Sequence, residues 1–209
     1  MRIMVATNNG HKLRELSAIL GGHTLVTPRD AGVTFDFDET GTTFEENAIG
    51  KARALMMLLA QSPCAPEVDA VIADDSGICV DALDGAPGVY SARYGSPDGG
   101  ATELPAPERN QLLLDAVGAS EDRGAAFVCC MAAVLSGDRY IIAQERWAGS
   151  LAAEPSLGRG GFGYDPIFVV PGHNCTAAEL SAEVKNRLSH RGRAARVLAA
   201  ALGAAAALP

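Results

Sequence analysis

Val71-Ile72-Ala73-Asp74-Asp75-Ser76-Gly77 is an apolar run that stops at two adjacent carboxylates. It reads as a buried strand whose tip delivers charge, with Ser76-Gly77 turning the chain. Alternating side chains put Asp74 and Asp75 on opposite faces, so at most one enters a shared site unless the backbone turns, which Gly77 permits. A carboxylate at a strand end suits a hard cation such as Mg²⁺ and can orient or deprotonate a water. Asp, Ser and Gly are also ordinary turn formers, so a solvated turn is the other reading. A second candidate is Thr7-Asn8-Asn9-Gly10-His11-Lys12, between a strand over residues 2–6 and a helix carrying Leu13, Leu16, Ile19 and Leu20. Such a turn aims backbone N–H groups and the positive end of the helix dipole at one spot beside Lys12. Phosphate fits there, and so does a plain helix cap with a solvated Lys; the Gly-rich spacing of a Walker loop is absent. Asp36, Asp38 and Glu39 form a third group, and Asp38 and Glu39 stand close enough to the next helix to reach a cation or to remain a solvated acidic loop.

The elements that must position these groups follow from periodicity and turn signals. Gly21-Gly22 stops the first helix. Thr43 with Glu46 matches a capping box, which assigns Glu45 and Glu46 to structure; the helix behind it carries Phe44, Ala48, Ala52, Leu55 and Leu59 and ends near Ser62-Pro63. Ile78-Cys79-Val80 continues the central strand briefly, residues 81–95 form a Gly- and Pro-rich loop, and residues 96–107 are exposed. A helix over 108–117 turns Leu112, Leu113 and Ala116 inward. Strands over 127–135 and 139–147 join through Ser136-Gly137-Asp138 as a hairpin. Gly158 to Gly163 satisfies GxGxxG in form, but a loop precedes it and a strand over 165–170 follows, the wrong setting for a dinucleotide fingerprint. The segment reads instead as a glycine turn presenting Phe162, Tyr164 and Asp165, either to stack on a base or to cover the sheet edge. A helix over 176–188 buries Leu180, Val184 and Leu188 with Lys185 one step round the face, breaks at Ser189-His190-Arg191-Gly192, and gives way to an Ala-rich helix with Arg193 and Arg196 on its polar side. His190 and Arg191 at that break make a donor-rich corner.

Composition limits the function classes. A chain of 209 residues with 48% hydrophobic content buries a substantial core as one domain or two joined lobes. Cys64, Cys79, Cys129, Cys130 and Cys175 are odd in number and lack metal-ligand spacing, which fits buried thiols in a reducing compartment. The apolar stretch over 197–209 is too short to span a bilayer and Met1-Arg2-Ile3-Met4-Val5 is strand-like, so the expectation is a cytoplasmic protein with no membrane partner. A formal net charge of -8 opposes nucleic acid as a ligand while allowing a small phosphorylated molecule held by local cations.

Taken together, ATNNGHK at 6–12, ETGTTFEENAIGKA at 39–52, ADDSG at 73–77, GAPGVYSARY at 85–94, GGFGYDPIF at 160–168 and SHRG at 189–192 resemble the non-canonical purine nucleoside triphosphate pyrophosphatases, also called inosine/xanthosine triphosphatases. The blocks cover almost the whole chain in order. The resemblance implies one domain over residues 1–209: an elongated, two-lobed α/β fold, with a central mixed sheet flanked by helices and a substrate cleft between the lobes, assembled as a homodimer. It implies Mg²⁺-assisted hydrolysis of inosine, deoxyinosine and xanthosine triphosphates to monophosphate and pyrophosphate. By motif, Thr7, Asn8, Asn9, Gly10, His11 and Lys12 would hold the triphosphate. Asp75 would be proton acceptor and metal ligand, with Asp38 or Glu39 as a further ligand, and Ser76 would touch substrate. Phe162, Gly163, Tyr164, Asp165, Lys185, His190 and Arg191 would form the nucleoside side. Two departures stand out: Asp38-Glu39 where relatives commonly carry Glu twice, and Asn8 where many carry Gly.

The chemistry of the residues agrees with that implication. Splitting the bond between the α and β phosphates needs an in-line water and neutralisation of charge on the leaving pyrophosphate. Asp75 with Mg²⁺ supplies the first and Lys12 with Mg²⁺ the second; no Ser or Cys nucleophile with a partnered His is evident. A 6-oxo purine offers an acceptor to His190 and Arg191, whereas adenine would leave each donor unpaired at about 1 to 3 kcal/mol. Two alternatives share the phosphate machinery: a pyrophosphatase for modified pyrimidine or methylated nucleotides, and a non-catalytic nucleotide sensor.

Overall fold

The computed structural model describes residues 1–62, 66–99, 102–135 and 139–206. Seven strands pair in the order β2-β1-β3-β4-β5-β6-β7. β1 (Arg2–Val5) pairs in parallel with β2 (Thr24–Val26) and β3 (Ala70–Val80), whereas β6 (Phe168–Val170) is antiparallel to β5 (Tyr140–Leu151) and β7 (Cys175–Thr176). β4 is Gly124–Leu135. This is the mixed sheet expected of the α/β class, and among the described residues five α-helices accompany it: α1 (Gly10–Ile19), α2 (Phe44–Gln61), α3 (Ala106–Val117), α4 (Ala182–Leu188) and α5 (His190–Ala206).

The chain divides into two compact units, one of Met1–Asp75, Cys129–Glu145 and Arg191–Pro209, the other of Ser76–Val128 and Arg146–His190. In the first unit the period of two along β3 sorts two cores. Ala70 and Ile72 pack with Leu16 and Leu20 of the α1 segment and Ala194, Leu198 and Leu202 of α5, while Val71 and Ala73 pack with Ala48, Ala52 and Leu55 of α2. Strand residues buried on both faces read as a continuous apolar run, which is how β1 and the start of β3 look in sequence. Among the described residues the second unit packs around Ile78, Leu113, Phe127, Trp147 and Phe168.

Several sequence expectations change here. β3 does not end at the carboxylates: it runs without interruption through Asp74, Asp75, Ser76 and Gly77 to Val80. Gly77 serves close approach rather than a turn, since a Cβ there would lie 2.2 Å from the Gly88 carbonyl oxygen and 2.4 Å from Ser91 Oγ. α3 turns Leu113, Leu114 and Val117 inward, with Leu112 and Ala116 exposed, because the helix is rotated by about one residue from the expected phase. The segment over 165–170 is a strand only from Phe168; Asp165–Ile167 is a 3-10 turn. The helix expected over 176–188 splits into a 3-10 turn at Ala177–Glu179, closed by the Thr176/Glu179 capping box, and α4. The break expected at 189–192 is confined to Ser189, which is extended, and α5 resumes at His190. At the start of α2, Thr43 caps the Glu46 N–H at 3.1 Å, but the Glu46 carboxylate takes the N–H and hydroxyl of Thr42 instead of closing the box on Thr43. Pro63, Cys64 and the turn at Ser136-Gly137-Asp138 lie outside the described residues.

Candidate active site

Asp74 and Asp75 are both buried and face opposite ways, each toward the helices its side of β3 dictates. Asp74 Oδ2 takes Lys12 Nζ of α1 at 3.2 Å and Arg191 Nε of α5 at 3.1 Å. Its backbone oxygen accepts from Lys51 Nζ of α2 at 3.2 Å. Burial alone would raise the pKa of Asp74, but Lys12, Arg191 and Lys51 outweigh it and hold the group well below the ordinary carboxylate range. Arg191, itself buried, spends Nη1 on Glu15 Oε2 at 2.8 Å. The cations around Asp74 are thus organised by carboxylates, and Asp74 Oδ1 has no hydrogen-bond partner among the described residues.

Asp75 lies in the opposite electrostatic regime. Burial, and after it the charge of Glu39, push its pKa up to about 6, against a hydrogen bond from Asn47 and the attraction of Lys12 and Lys51. Asn47 Nδ2 donates to Asp75 Oδ2 at 2.9 Å. Two neighbouring carboxylates on one strand therefore have opposite character, one locked as an anion and one poised near neutrality, the pattern that marks acid–base sites. Of the two loop acids, Glu39 is half-buried, is ion-paired to Lys51 and weighs on Asp75, while Asp38 is exposed.

At the entrance to α1, Asn9 is the N-cap, its Oδ1 accepting from His11 N at 2.9 Å and Lys12 N at 3.2 Å. Thr7 Oγ1 accepts from Asn9 N at 3.1 Å, and Asn8 Nδ2 donates to the Phe35 carbonyl at 3.2 Å. Asn9 thus already occupies two of the N–H groups that an anion would use, so an incoming phosphate competes with the cap. Asn8 through His11 are exposed and Thr7 and Lys12 half-buried.

The second unit assembles the late motif residues. Ser76 is half-buried on β3. Tyr164 and Asp165 are buried rather than displayed: Tyr164 Oη donates to the Ser91 carbonyl at 2.8 Å, and Asp165 Oδ2 accepts from Phe162 N at 2.6 Å and Lys185 Nζ at 2.7 Å. Lys185 is the buried residue of α4, with Val184 and Leu188 half-buried, because Asp165 pairs with its charge and Phe162 offers its ring 5.0 Å away. Gly161, at φ 70°, admits the Asp165 carboxylate where a Cβ would sit 2.1 Å from Oδ2. Gly163, half-buried at φ 64°, makes the next bend. His190 is buried and stacks on Phe127 at 4.8 Å with an interplanar angle of 8°, and on Trp147 at 6.3 Å.

Sequence reasoning gave no chemical role to Asn47, Lys51 or Glu15. The signal for the first two was their spacing of four on α2, one residue before Ala48 and Ala52, which places two polar groups beside the apolar stripe and next to the acidic loop. Glu15 carried no signal, because its partner Arg191 lies 176 residues away.

A mixed α/β sheet whose interior strand β3 carries a locked and a poised carboxylate, ringed by lysines and an arginine, defines a protein built for charged ligands and acid–base work. A sequence profile of the Ham1 family matches residues 3–201, and the chain belongs to that family. It is 48% identical over 194 residues to a protein of Treponema denticola named dITP/XTP pyrophosphatase, covering 93% of this chain and 94% of that one. A protein of the same name from Pseudomonas syringae is 42% identical, with 97% of each chain covered. Among solved structures, a HAM1 protein from Coxiella burnetii superposes with a TM-score of 0.80 at 38% identity, covering 98% of this chain and 99% of its own. A nucleoside-triphosphatase / dITP/XTP pyrophosphatase from Mycobacterium abscessus gives 0.71 at 42% identity, covering 97% and 99%.

Proposed function

We propose that this chain is a nucleoside triphosphate pyrophosphatase acting on non-canonical purine nucleotides, inosine, deoxyinosine and xanthosine triphosphates, and releasing monophosphate and pyrophosphate. The names of its relatives support the substrate class. The observation that carries the chemistry is Asp75: a buried carboxylate with a pKa near 6, hydrogen-bonded by Asn47 and flanked by lysines. In this reading Asp75 takes a proton from water as its oxygen bonds to the α-phosphorus. The bond from that phosphorus to the bridging oxygen breaks, and the electron pair leaves on pyrophosphate. Lys12 and Lys51 face the charge that develops on the leaving group, while Asp74, itself paired with Arg191, holds Lys12 in place.

The donor set fits Mg²⁺. Among the described residues no three His, Cys, Asp or Glu side chains cluster as a metal cage, and Mg²⁺ bound through one or two carboxylates plus substrate phosphates needs none. Asp75 and Glu39 are the residues that would hold it, since the mutual repulsion that raises Asp75 is what a cation relieves; exposed Asp38 is the weaker candidate. When bound, the ion supplies charge neutralisation and a more acidic water. Thr7 through Lys12 and Ser76 are assigned to the phosphates. Phe162 through Asp165, Lys185 and His190 are assigned to the nucleoside, and Arg191 to the base as well as to Asp74. A homodimer and a cytoplasmic location complete the reading. No helix among the described residues is long and apolar enough to cross a membrane.

Incubation with inosine triphosphate and Mg²⁺, followed by ³¹P NMR, tests it. Pyrophosphate and monophosphate are expected; release of single phosphate rejects the α-phosphorus attack, and tight binding without turnover supports a sensor instead.

A further inference from the structure

The geometry points to Asn47 as a positioning residue that fixes the Asp75 carboxylate to the acidic loop. Its side chain is 1% exposed on α2 and makes two directed bonds: Nδ2 donates to Asp75 Oδ2 at 2.9 Å, and Oδ1 accepts from the Gly41 N–H at 2.8 Å. The orientation of the amide follows from its partners. Gly41 N–H can only donate, so Oδ1 must face it, and the amino group is left for an ionised carboxylate that can only accept. No other side chain of that shape meets both demands: Asp would turn an oxygen toward Asp75, and Leu would leave two buried polar groups unsatisfied.

Gly41 supplies a second, independent observation. A Cβ at that position would lie 2.6 Å from Asn47 Oδ1 and 2.9 Å from Glu46 Cβ. Its φ is not in the left-handed region, so the need for glycine there is the room that Asn47 occupies. The loop bearing Asp38 and Glu39 is consequently tied to α2 by Asn47 at Gly41 and by Glu46 at Thr42, and the same Asn47 side chain sets the direction of Asp75. One amide thus couples the strand carboxylate to the loop carboxylates across two elements that meet nowhere in sequence. Asn47 touches no reacting atom in this account.

The inference rests on the proposed pyrophosphatase reading, and its test separates the two. Wild type, Asn47→Asp, Asn47→Ala and Gly41→Ala are compared by kcat and KM for inosine triphosphate with Mg²⁺, by the nucleotide Kd in EDTA, and by thermal melting. For Asn47→Asp, which keeps the shape and the Gly41 bond, kcat is expected to fall about 100-fold while KM and the metal-free Kd change less than about 3-fold. Gly41→Ala, which leaves the amide present but displaced, is expected to show the same split at about 10-fold. If any of the three variants melts cooperatively and keeps kcat within about 3-fold of wild type, the positioning role is overturned. Equal losses in kcat and in metal-free affinity, or loss of cooperative melting in all three variants, assign Asn47 to general structure and overturn it too. Wild type that releases no pyrophosphate fails the functional reading instead.

Discussion

At the scale of single residues, Asp75 trades stability for a usable pKa. The folded state holds its proton up to about pH 6, against 3.8 for the free group, so between those values the folded chain binds more protons than the unfolded one. Stability attributable to Asp75 therefore declines as pH rises through that window, by about 3 kcal/mol in total. Asp75→Asn cannot ionise and can still accept from Asn47. It should melt higher than wild type at pH 8, lose that advantage below pH 4, and hydrolyse no inosine triphosphate. A lower melting temperature at pH 8 would contradict the buried-charge account. Asp74 has the opposite sign: its depressed pKa contributes stability above the ordinary carboxylate range, lost only in strong acid. Asp74→Asn leaves Arg191 and Lys12 short of a counter-charge in a buried setting and should cost about 3 to 5 kcal/mol by denaturant titration. Because Arg191 bonds both Asp74 and Glu15, Arg191→Ala should lower the unfolding midpoint as well as narrow the preference for inosine over adenosine triphosphate. An unchanged midpoint would reduce Arg191 to a base contact.

Among elements, β3 carries the most information, and its sequence discloses only part of it. Its apolar start and its carboxylates were legible, and the alternation that separates Asp74 from Asp75 follows from pleat geometry alone. Ile78-Cys79-Val80 was legible as strand, but that the chain reaches it through Asp74-Asp75-Ser76-Gly77 without a turn was not, since Asp-Asp-Ser-Gly is a turn by local preference and only pairing within the sheet overrides it. Gly77 shows why: the requirement is steric and comes from Gly88 and Ser91, more than ten residues on. Gly77→Ala should accordingly destabilise the protein by several kcal/mol, through backbone displacement rather than strained φ, and a melting temperature within a degree of wild type would refute the close-packing reading. α4 gives the converse lesson. Helical spacing puts Lys185 beside the buried stripe, yet it is the buried residue, because Asp165 arrives from a turn that helical periodicity cannot anticipate. Asn47 and Lys51 give no hydropathy signal for a related reason: amphipathic periodicity ranks positions by hydropathy, and these polar groups, one buried and one half-buried, sit where they do because of what faces them.

For the molecule as a whole, charge sets a problem that the site must solve locally. The chain carries a formal net charge of -8 and the proposed substrate is a polyanion, so the long-range field opposes their encounter. Lys12, Lys51 and Arg191 do not reverse this at a distance, because Asp74, Asp75, Glu39 and Glu15 stand among them: three cations against four carboxylates. The attraction is therefore short-ranged, felt when phosphate oxygens or a cation displace the carboxylates from the lysines. Exposed charges more than about 8 to 10 Å apart are screened at physiological salt, whereas contacts inside the site are screened far less. Raising ionic strength should then weaken the repulsion and leave the grip intact. At constant free Mg²⁺, kcat/KM for inosine triphosphate is expected to stay level or rise modestly between 20 and 200 mM salt, as estimated from screening lengths of about 20 and 7 Å. An enzyme steered by a positive surface would show a steep fall over the same range. Such a fall here would mean that the lysines act beyond their carboxylate partners, and that the ion pairs around Asp74 and Glu39 open before the nucleotide arrives.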